Sequence, residues 1–142
     1  MLGNPKRTKD YIVNWIRDYF KENGPTCDAV VGISGGKDSS IVAALCVEAL
    51  GKNRVVGVMM PNGEQSDLDD SKRLIQHLGI RYVYTNISHV VQRMIDQIDI
   101  YMDVKEQTKV NLPARIRMAM LYAISQSLHN GGRVANTCNC SE

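Results

Sequence analysis

The apolar positions of the chain follow two different periods, and the alternation between them predicts the fold. Short β-branched runs typical of buried strands cover residues 28–33, 54–60 and 80–87. Apolar residues spaced three and four apart predict helices over 8–23, 39–50, 67–78 and from 88 through 98. Because strands that alternate with helices form parallel sheets, we predict an α/β fold: a doubly wound parallel sheet with helices on both faces.

The last third of the chain predicts one more helix and one more strand. Asn111 is a favourable N-cap, Pro113 is tolerated in a first turn, and the apolar positions that follow predict a helix over 111–128. The polar stretch 102–110 then becomes a loop, and residues 131–137 return as a final strand. No Pro/Gly-rich linker divides the chain, so we predict a single domain over residues 1–142.

Composition narrows the function classes. The 142 residues carry 17 basic and 15 acidic side chains, a net charge of +2, which does not indicate a nucleic-acid partner. Neither an apolar run of the ~20 residues that a membrane span needs nor a secretory signal is present in the sequence, so we expect a cytoplasmic protein that does not enter a membrane. The four cysteines lack zinc-type pairing and are expected to be reduced thiols.

The loop after the first strand, residues 32–40, carries the chemistry. In parallel α/β sheets ligands bind where a strand ends and the next helix begins, and glycines there expose backbone N–H groups that suit a phosphate. Ser34, Ser39 and Ser40 add hydroxyl donors. A Walker-type loop is excluded, because Val31 stands where it needs glycine and Asp38 where it needs Ser or Thr. A carboxylate beside phosphates calls for a cation, so Asp38 indicates Mg²⁺.

The segment SGGKDSS (34–40) resembles the signature of the N-type ATP pyrophosphatases, a group that includes NAD, GMP and asparagine synthetases and tRNA-modifying enzymes. Three further stretches are similar to NAD synthetase in particular. NLPARIRMAMLYAISQ (111–126) resembles its N-x-x-A-R-x-R-M helix, NTCNCSE (136–142) its G-T-x-N-x-S-E turn, and MPNGEQSDLDD (60–70) its second-strand loop. The resemblance extends from about Tyr11 to Glu142.

This resemblance implies roles for individual residues. Asp38 and Glu142 would hold Mg²⁺, and Arg115 or Arg117 would bind deamido-NAD. Two arginines two positions apart on a helix point about 200° apart, so we expect only one of them to face the site. The ATP-binding residues implied are Gly32, Ile33, Ser34, Gly35, Gly36, Lys37, Asp38, Ser39 and Thr137.

The resemblance also implies a reaction. A homodimeric ligase would adenylate deamido-NAD with ATP, release pyrophosphate, and form NAD and AMP with ammonia; its side chains would position groups and neutralise charge, with no covalent nucleophile. Ammonia is expected because the sequence shows no glutaminase domain, although a glutamine-dependent enzyme stays open. Other open alternatives are a GMP synthetase-like enzyme, a tRNA-thiolating enzyme using Cys138 or Cys140 as sulfur carrier, and a non-catalytic ATP-binding module.

The chain also departs from the family pattern near its end. The family turn usually has glycine near Asn136 and Cys138, and it has a residue other than cysteine at the position of Cys140. Family members continue beyond the position of Glu142. We therefore expect the chain to lack the C-terminal part of the family domain and to be inactive by itself.

Overall fold

The computed structural model describes residues 3–64 and 68–137. These form a parallel sheet between two layers of helices. A short 3₁₀ turn, Lys52–Arg54, precedes the second strand. The helices and strands in chain order are α1 (Pro5–Asn23), β1 (Asp28–Gly32), α2 (Lys37–Leu50), β2 (Val55–Met59), α3 (Leu68–Leu78), β3 (Arg81–Tyr84), α4 (Ser88–Asp99), α5 (Glu106–Ser127) and β4 (Gly132–Val134).

The sheet has the strand order β3-β2-β1-β4, and each neighbouring pair is parallel. The strands therefore step outward from β1 to β3, and the chain then crosses back to place β4 on the other side of β1. This arrangement confirms the predicted α/β class. The strand order therefore reverses between the neighbouring strands β1 and β4.

The two faces of β1 are both buried, which explains its continuous apolar run. Ala29 and Val31 pack with residues of α1, α2 and α3, whereas Val30 packs with residues of α4 and α5. All three side chains have no solvent exposure. Because successive side chains of a strand point to opposite faces, one strand contributes to both cores.

The predicted start of the last helix is wrong. α5 begins at Glu106, so Asn111 is not its N-cap and Pro113 lies inside the helix. The error has a physical cause: the apolar stripe begins only at Leu112, but the turn before it is an exposed helix with its own polar contacts. Glu106 pairs with Lys109 at 3.5 Å, and the Gln107 amide donates to Asn111 Oδ1 at 3.3 Å.

Other boundaries differ by a few residues. β3 ends at Tyr84 rather than at 87, although the backbone pairing continues from Thr85 N to the Met59 carbonyl and from Ile87 N to the Pro61 carbonyl. The final strand is confirmed but covers three residues. Among helices in the described ranges, none combines the length and apolarity that crossing a bilayer would require.

Candidate functional site

The carboxyl ends of β1, β2 and β4 lie at one edge of the sheet, together with the loop after β1, Arg117 and the segment that contains Thr137. Ligands of open α/β sheets bind outside this edge, where the strand order reverses. The loop after β1 opens there, next to the segment that follows β4. The backbone N–H of Ala135 donates to the Val30 carbonyl at 2.9 Å, which holds that segment against β1.

The loop between β1 and α2 is shaped by serine hydroxyls. The backbone N–H of Ser34 donates to Ser39 Oγ at 3.3 Å, the two hydroxyl oxygens lie 3.2 Å apart, and Gly36 N–H donates to Ser34 Oγ at 3.3 Å. Gly35 adopts φ +87°, a conformation that glycine takes without strain. Ser39 is buried, so the loop is tied to its own helix from the inside.

α2 begins directly after this loop. Its N-cap is Gly36, whose extended backbone supplies no side-chain cap, and Ser40 Oγ donates to the Gly36 carbonyl at 2.8 Å. The first amides of the helix are thus left open at the positive end of its dipole. Such a helix start binds an anion, phosphate above all.

Lys37 and Asp38 begin α2 with opposite charges. Lys37 is exposed and Asp38 is half-buried, and neither forms an ion pair with any of the described residues. Within those same ranges, His, Cys, Asp and Glu side chains form no group of three that could hold a metal. One carboxylate beside an anion cradle fits Mg²⁺ that is shared with phosphate oxygens rather than enclosed by protein ligands.

Thr137, the predicted ATP contact after β4, lies in the segment beside the β1 loop and is half-buried. Asn136 before it is exposed. The second predicted metal ligand, Glu142, and the two cysteines Cys138 and Cys140 fall outside the described residues.

The two arginines of α5 occupy different surroundings, as their spacing predicts. Arg117 donates from Nε to the Met60 carbonyl at 3.0 Å, immediately after β2, and burial lowers the pKa of its guanidinium. The group still carries its charge at neutral pH. Arg115 is exposed and lines a surface hollow of about 210 Å³ with Gln107 and Asn111. Arg117 is therefore the one at the carboxyl edge.

Contacts between α5 and the strand ends place this helix over the site. A Cβ built on Gly32 would lie 3.4 Å from Leu121 Cδ1 and 3.6 Å from Met60 Cε. Leu121 is one turn after Arg117, so the same face of α5 covers both β1 and β2 where they end. A Cβ at position 32 would make ordinary van der Waals contacts with these two side chains, so α5 and Met60 both pack against the end of β1.

Asn86 is a site-edge residue that the sequence analysis missed. Its side-chain amide accepts from Gly63 N–H at 3.1 Å and donates to the Gly63 carbonyl at 3.2 Å, which fixes the loop after β2. Periodicity carries no signal for such a residue. The only hint is an amide two positions before the helix that starts at Ser88, where Asn86 Oδ1 accepts the Ser88 N–H.

Comparisons with known proteins agree with this geometry. A family model described as NAD synthase matches residues 8–142. The NH₃-dependent NAD⁺ synthetase of Pyrococcus furiosus is 40% identical over 131 residues, which cover 92% of this chain and 49% of that relative. The chain thus spans about half the length of the curated relatives it matches.

Two solved structures are also similar to this chain. The NH₃-dependent NAD synthetase from Campylobacter jejuni, in complex with the nitrate ion, has a TM-score of 0.85 and 30% identity, covering 99% of this chain and 59% of that one. The NMN synthetase from Francisella tularensis has a TM-score of 0.84 and 29% identity, covering 96% and 55%. Since the family model extends over nearly the whole chain, the chain belongs to the NAD synthase family.

Proposed function

We propose that a full-length protein carrying this chain is an ammonia-dependent NAD synthetase, a ligase that forms a carbon–nitrogen bond in NAD biosynthesis. The observation that carries the proposal is the glycine loop 34–40, with its open amides and Asp38, at the reversal point of the sheet. Its relatives named NH₃-dependent NAD⁺ synthetase support the same reaction.

The proposed reaction has two steps. A carboxylate oxygen of deamido-NAD attacks the α-phosphorus of ATP, and the bond to the β-phosphate breaks to release pyrophosphate. Ammonia then attacks the acyl carbon of the adenylate, AMP leaves with the bonding electron pair, and the amine loses a proton to give the amide of NAD. Neither step requires a covalent bond to the protein.

Residues of this chain would position the ATP phosphates. The serine-bonded loop and the start of α2 offer preorganised donors to them, which stabilises charge as it develops without reorganisation. Thr137 would bind the phosphates from the β4 side of the loop, and Lys37 would neutralise charge on the outer phosphates. Asp38, with Glu142 as its proposed partner, would hold Mg²⁺, which supplies neutralisation of phosphate charge when bound.

Arg117 is the better candidate of the two arginines for the deamido-NAD side. Its Nε is committed to the Met60 carbonyl, so its Nη atoms are held at the carboxyl edge with the charge retained. A guanidinium held in this way can bind an anionic group of the substrate in a fixed orientation. Arg115 would then contribute to the outer surface.

The test is product analysis with the full-length protein. With ATP, Mg²⁺, deamido-NAD and ammonium present, we expect AMP, pyrophosphate and NAD in equal amounts, and no pyrophosphate when the acceptor is left out. ADP and phosphate as products would reject the proposal. Glutamine in place of ammonium tests the nitrogen source, and labelled tRNA tests the thiolating alternative.

The NMN synthetase among the structural relatives suggests a second acceptor. The acid form of nicotinamide mononucleotide should therefore be compared with deamido-NAD in the same assay. A kcat/KM at least tenfold higher for the mononucleotide would move the assignment to that substrate while keeping the adenylating mechanism.

We also propose that the protein is a homodimer that pairs through α5. This helix carries three exposed apolar side chains, Val110, Met118 and Tyr122, which are exposed by 70%, 56% and 56%. Apolar side chains in a row favour burial against a second copy.

Met118→Glu should yield monomers by sedimentation at micromolar concentration, whereas Tyr82→Glu, at an equally exposed position on β3, should leave the dimer intact. Dimers in both variants would contradict this interface.

A cytoplasmic location is part of the same proposal. Cys27 and Cys46, the two cysteines in the described ranges, are free buried thiols, as expected in a reducing compartment. Fractionation of cells that express the full-length protein would test it.

A further inference from the structure

The loop after β2, residues 60–64, enters the proposed mechanism only through the Met60 carbonyl, which holds Arg117. It is held from two directions. Arg117 binds the carbonyl at its start, Met60, and Asn86 binds both polar groups of the Gly63 backbone. Gly63 has φ +80°, so the turn it makes also depends on glycine.

Asn86 forms hydrogen bonds through both the oxygen and the nitrogen of its side-chain amide. The oxygen accepts from Gly63 N–H at 3.1 Å and from Ser88 N–H at 3.0 Å, and the nitrogen donates to the Gly63 carbonyl at 3.2 Å. One side chain therefore ties the β2 loop to the start of α4. Asp at this position would keep both acceptor bonds but lose the donor bond and place a carboxylate oxygen against the Gly63 carbonyl.

This loop borders the glycine loop directly. β1 and β2 are paired in register, with Gly32 opposite Val58, and the N–H of Ile33 donates to the Val58 carbonyl at 2.8 Å. The Met60 side chain lies against Gly32, at 3.6 Å from the position of a Cβ there. A shift of the loop at Gly63 would therefore displace Met60 and, with it, the start of the glycine loop.

We propose that Asn86 is a positioning residue for the ATP site: it holds the β2 loop so that Met60 keeps the glycine loop in its binding conformation. The proposal rests on the proposed function only in taking ATP as the ligand of that loop. Asn86 bonds to Gly63 and Ser88 and acts through the β2 loop, so we expect its effect on ATP binding rather than on the chemical step.

The test uses the full-length protein with Asn86→Ala, Asn86→Asp and a matched control, Asn14→Ala. Asn14 lies on α1 and loses one exposed side-chain bond, from Arg17, when truncated. The dissociation constant of Mg²⁺–ATP, measured by calorimetry, should rise about tenfold in Asn86→Ala, also rise in Asn86→Asp, and change less than twofold in Asn14→Ala. The KM for ATP should rise in parallel while kcat stays within about twofold.

The outcomes separate a positioning role from a structural one. Unchanged ATP affinity in folded Asn86→Ala would overturn the proposal, as would an equal loss in Asn14→Ala. If Asn86→Ala does not fold, unchanged affinity in Asn86→Asp overturns it instead. Because calorimetry needs no turnover, the result stands even when the wild-type protein fails to amidate deamido-NAD, an outcome that rejects the proposed function alone.

Discussion

Replacing Asp38 by Asn separates a structural from a ligand-binding role for this carboxylate. Asp38 stands in the first turn of α2, where a negative charge stabilises a helix by about 0.3–1 kcal/mol. It forms no ion pair with the other described residues, so little else is lost from the fold. We therefore expect the free energy of unfolding to fall by no more than about 1 kcal/mol.

The effect on nucleotide binding should be larger, and its sign should depend on magnesium. With Mg²⁺, loss of the charged ligand should weaken ATP binding by about 10- to 100-fold, the equivalent of one charged contact. Without Mg²⁺, the variant should bind ATP as tightly as wild type or more tightly, because a carboxylate beside phosphates is repulsive when no cation lies between them.

The assay is calorimetric titration of ATP with and without Mg²⁺, alongside urea unfolding. Glu106→Gln serves as the control, since it removes an acidic residue from the first turn of α5, away from the glycine loop. Weaker ATP binding by the Asp38 variant under both conditions, or equal binding under both, would refute the reasoning. The carboxylate would then act on the fold or not at all.

Three further predictions concern the loop, a buried thiol and the ion pair of the buried Asp28 with the half-exposed Arg81. Gly35→Ala should lower the free energy of unfolding by about 1–2 kcal/mol in a thermal melt and weaken ATP binding, because φ +87° is unfavourable for alanine; an unchanged melt would contradict this. Burial raises the pKa of Cys46 from 9.0 to about 11, because the folded state disfavours the thiolate. The free energy of unfolding should therefore fall by about 2–3 kcal/mol as the pH rises from 9 to 11. Urea unfolding of Cys46→Ala over the same pH range should not show this fall. Arg81→Met removes the 2.6 Å partner of the buried Asp28 at the amino ends of the strands and should lower the free energy of unfolding by about 2–3 kcal/mol. Adding Asp28→Asn should restore part of that stability, and full additivity of the two losses would show that the pair is not coupled.

The sheet and the glycine loop could be predicted because local and tertiary requirements agree there. A run of β-branched residues such as 29–31 is expected only where both faces of a strand are buried. A simple turn needs glycine but does not need a carboxylate beside it. The parallel arrangement of the strands and the position of the loop follow from these features, whereas the strand order was not predicted. The start of α5 could not be predicted in the same way, because an exposed polar turn leaves no apolar period to detect.

The edge of the site depended on contacts that sequence spacing does not encode. Helical geometry implied that Arg115 and Arg117 diverge, but only the packing of α5 over Gly32 shows that Arg117 is the inner one. The bonds from Asn86 to Gly63 join residues 23 positions apart through a side-chain amide, for which neither propensity nor motif gives a signal. Tertiary placement decides both cases.

The central claim is that the loop 34–40 holds the triphosphate of ATP with magnesium at Asp38. The most direct measurement is a crystal structure of the full-length protein with Mg²⁺ and an ATP analogue that cannot be cleaved between the α and β phosphates. The account predicts phosphate oxygens at the amides that begin α2 and a metal ion between them and the Asp38 carboxylate. A nucleotide bound elsewhere, with the loop 34–40 free of phosphate, would contradict it.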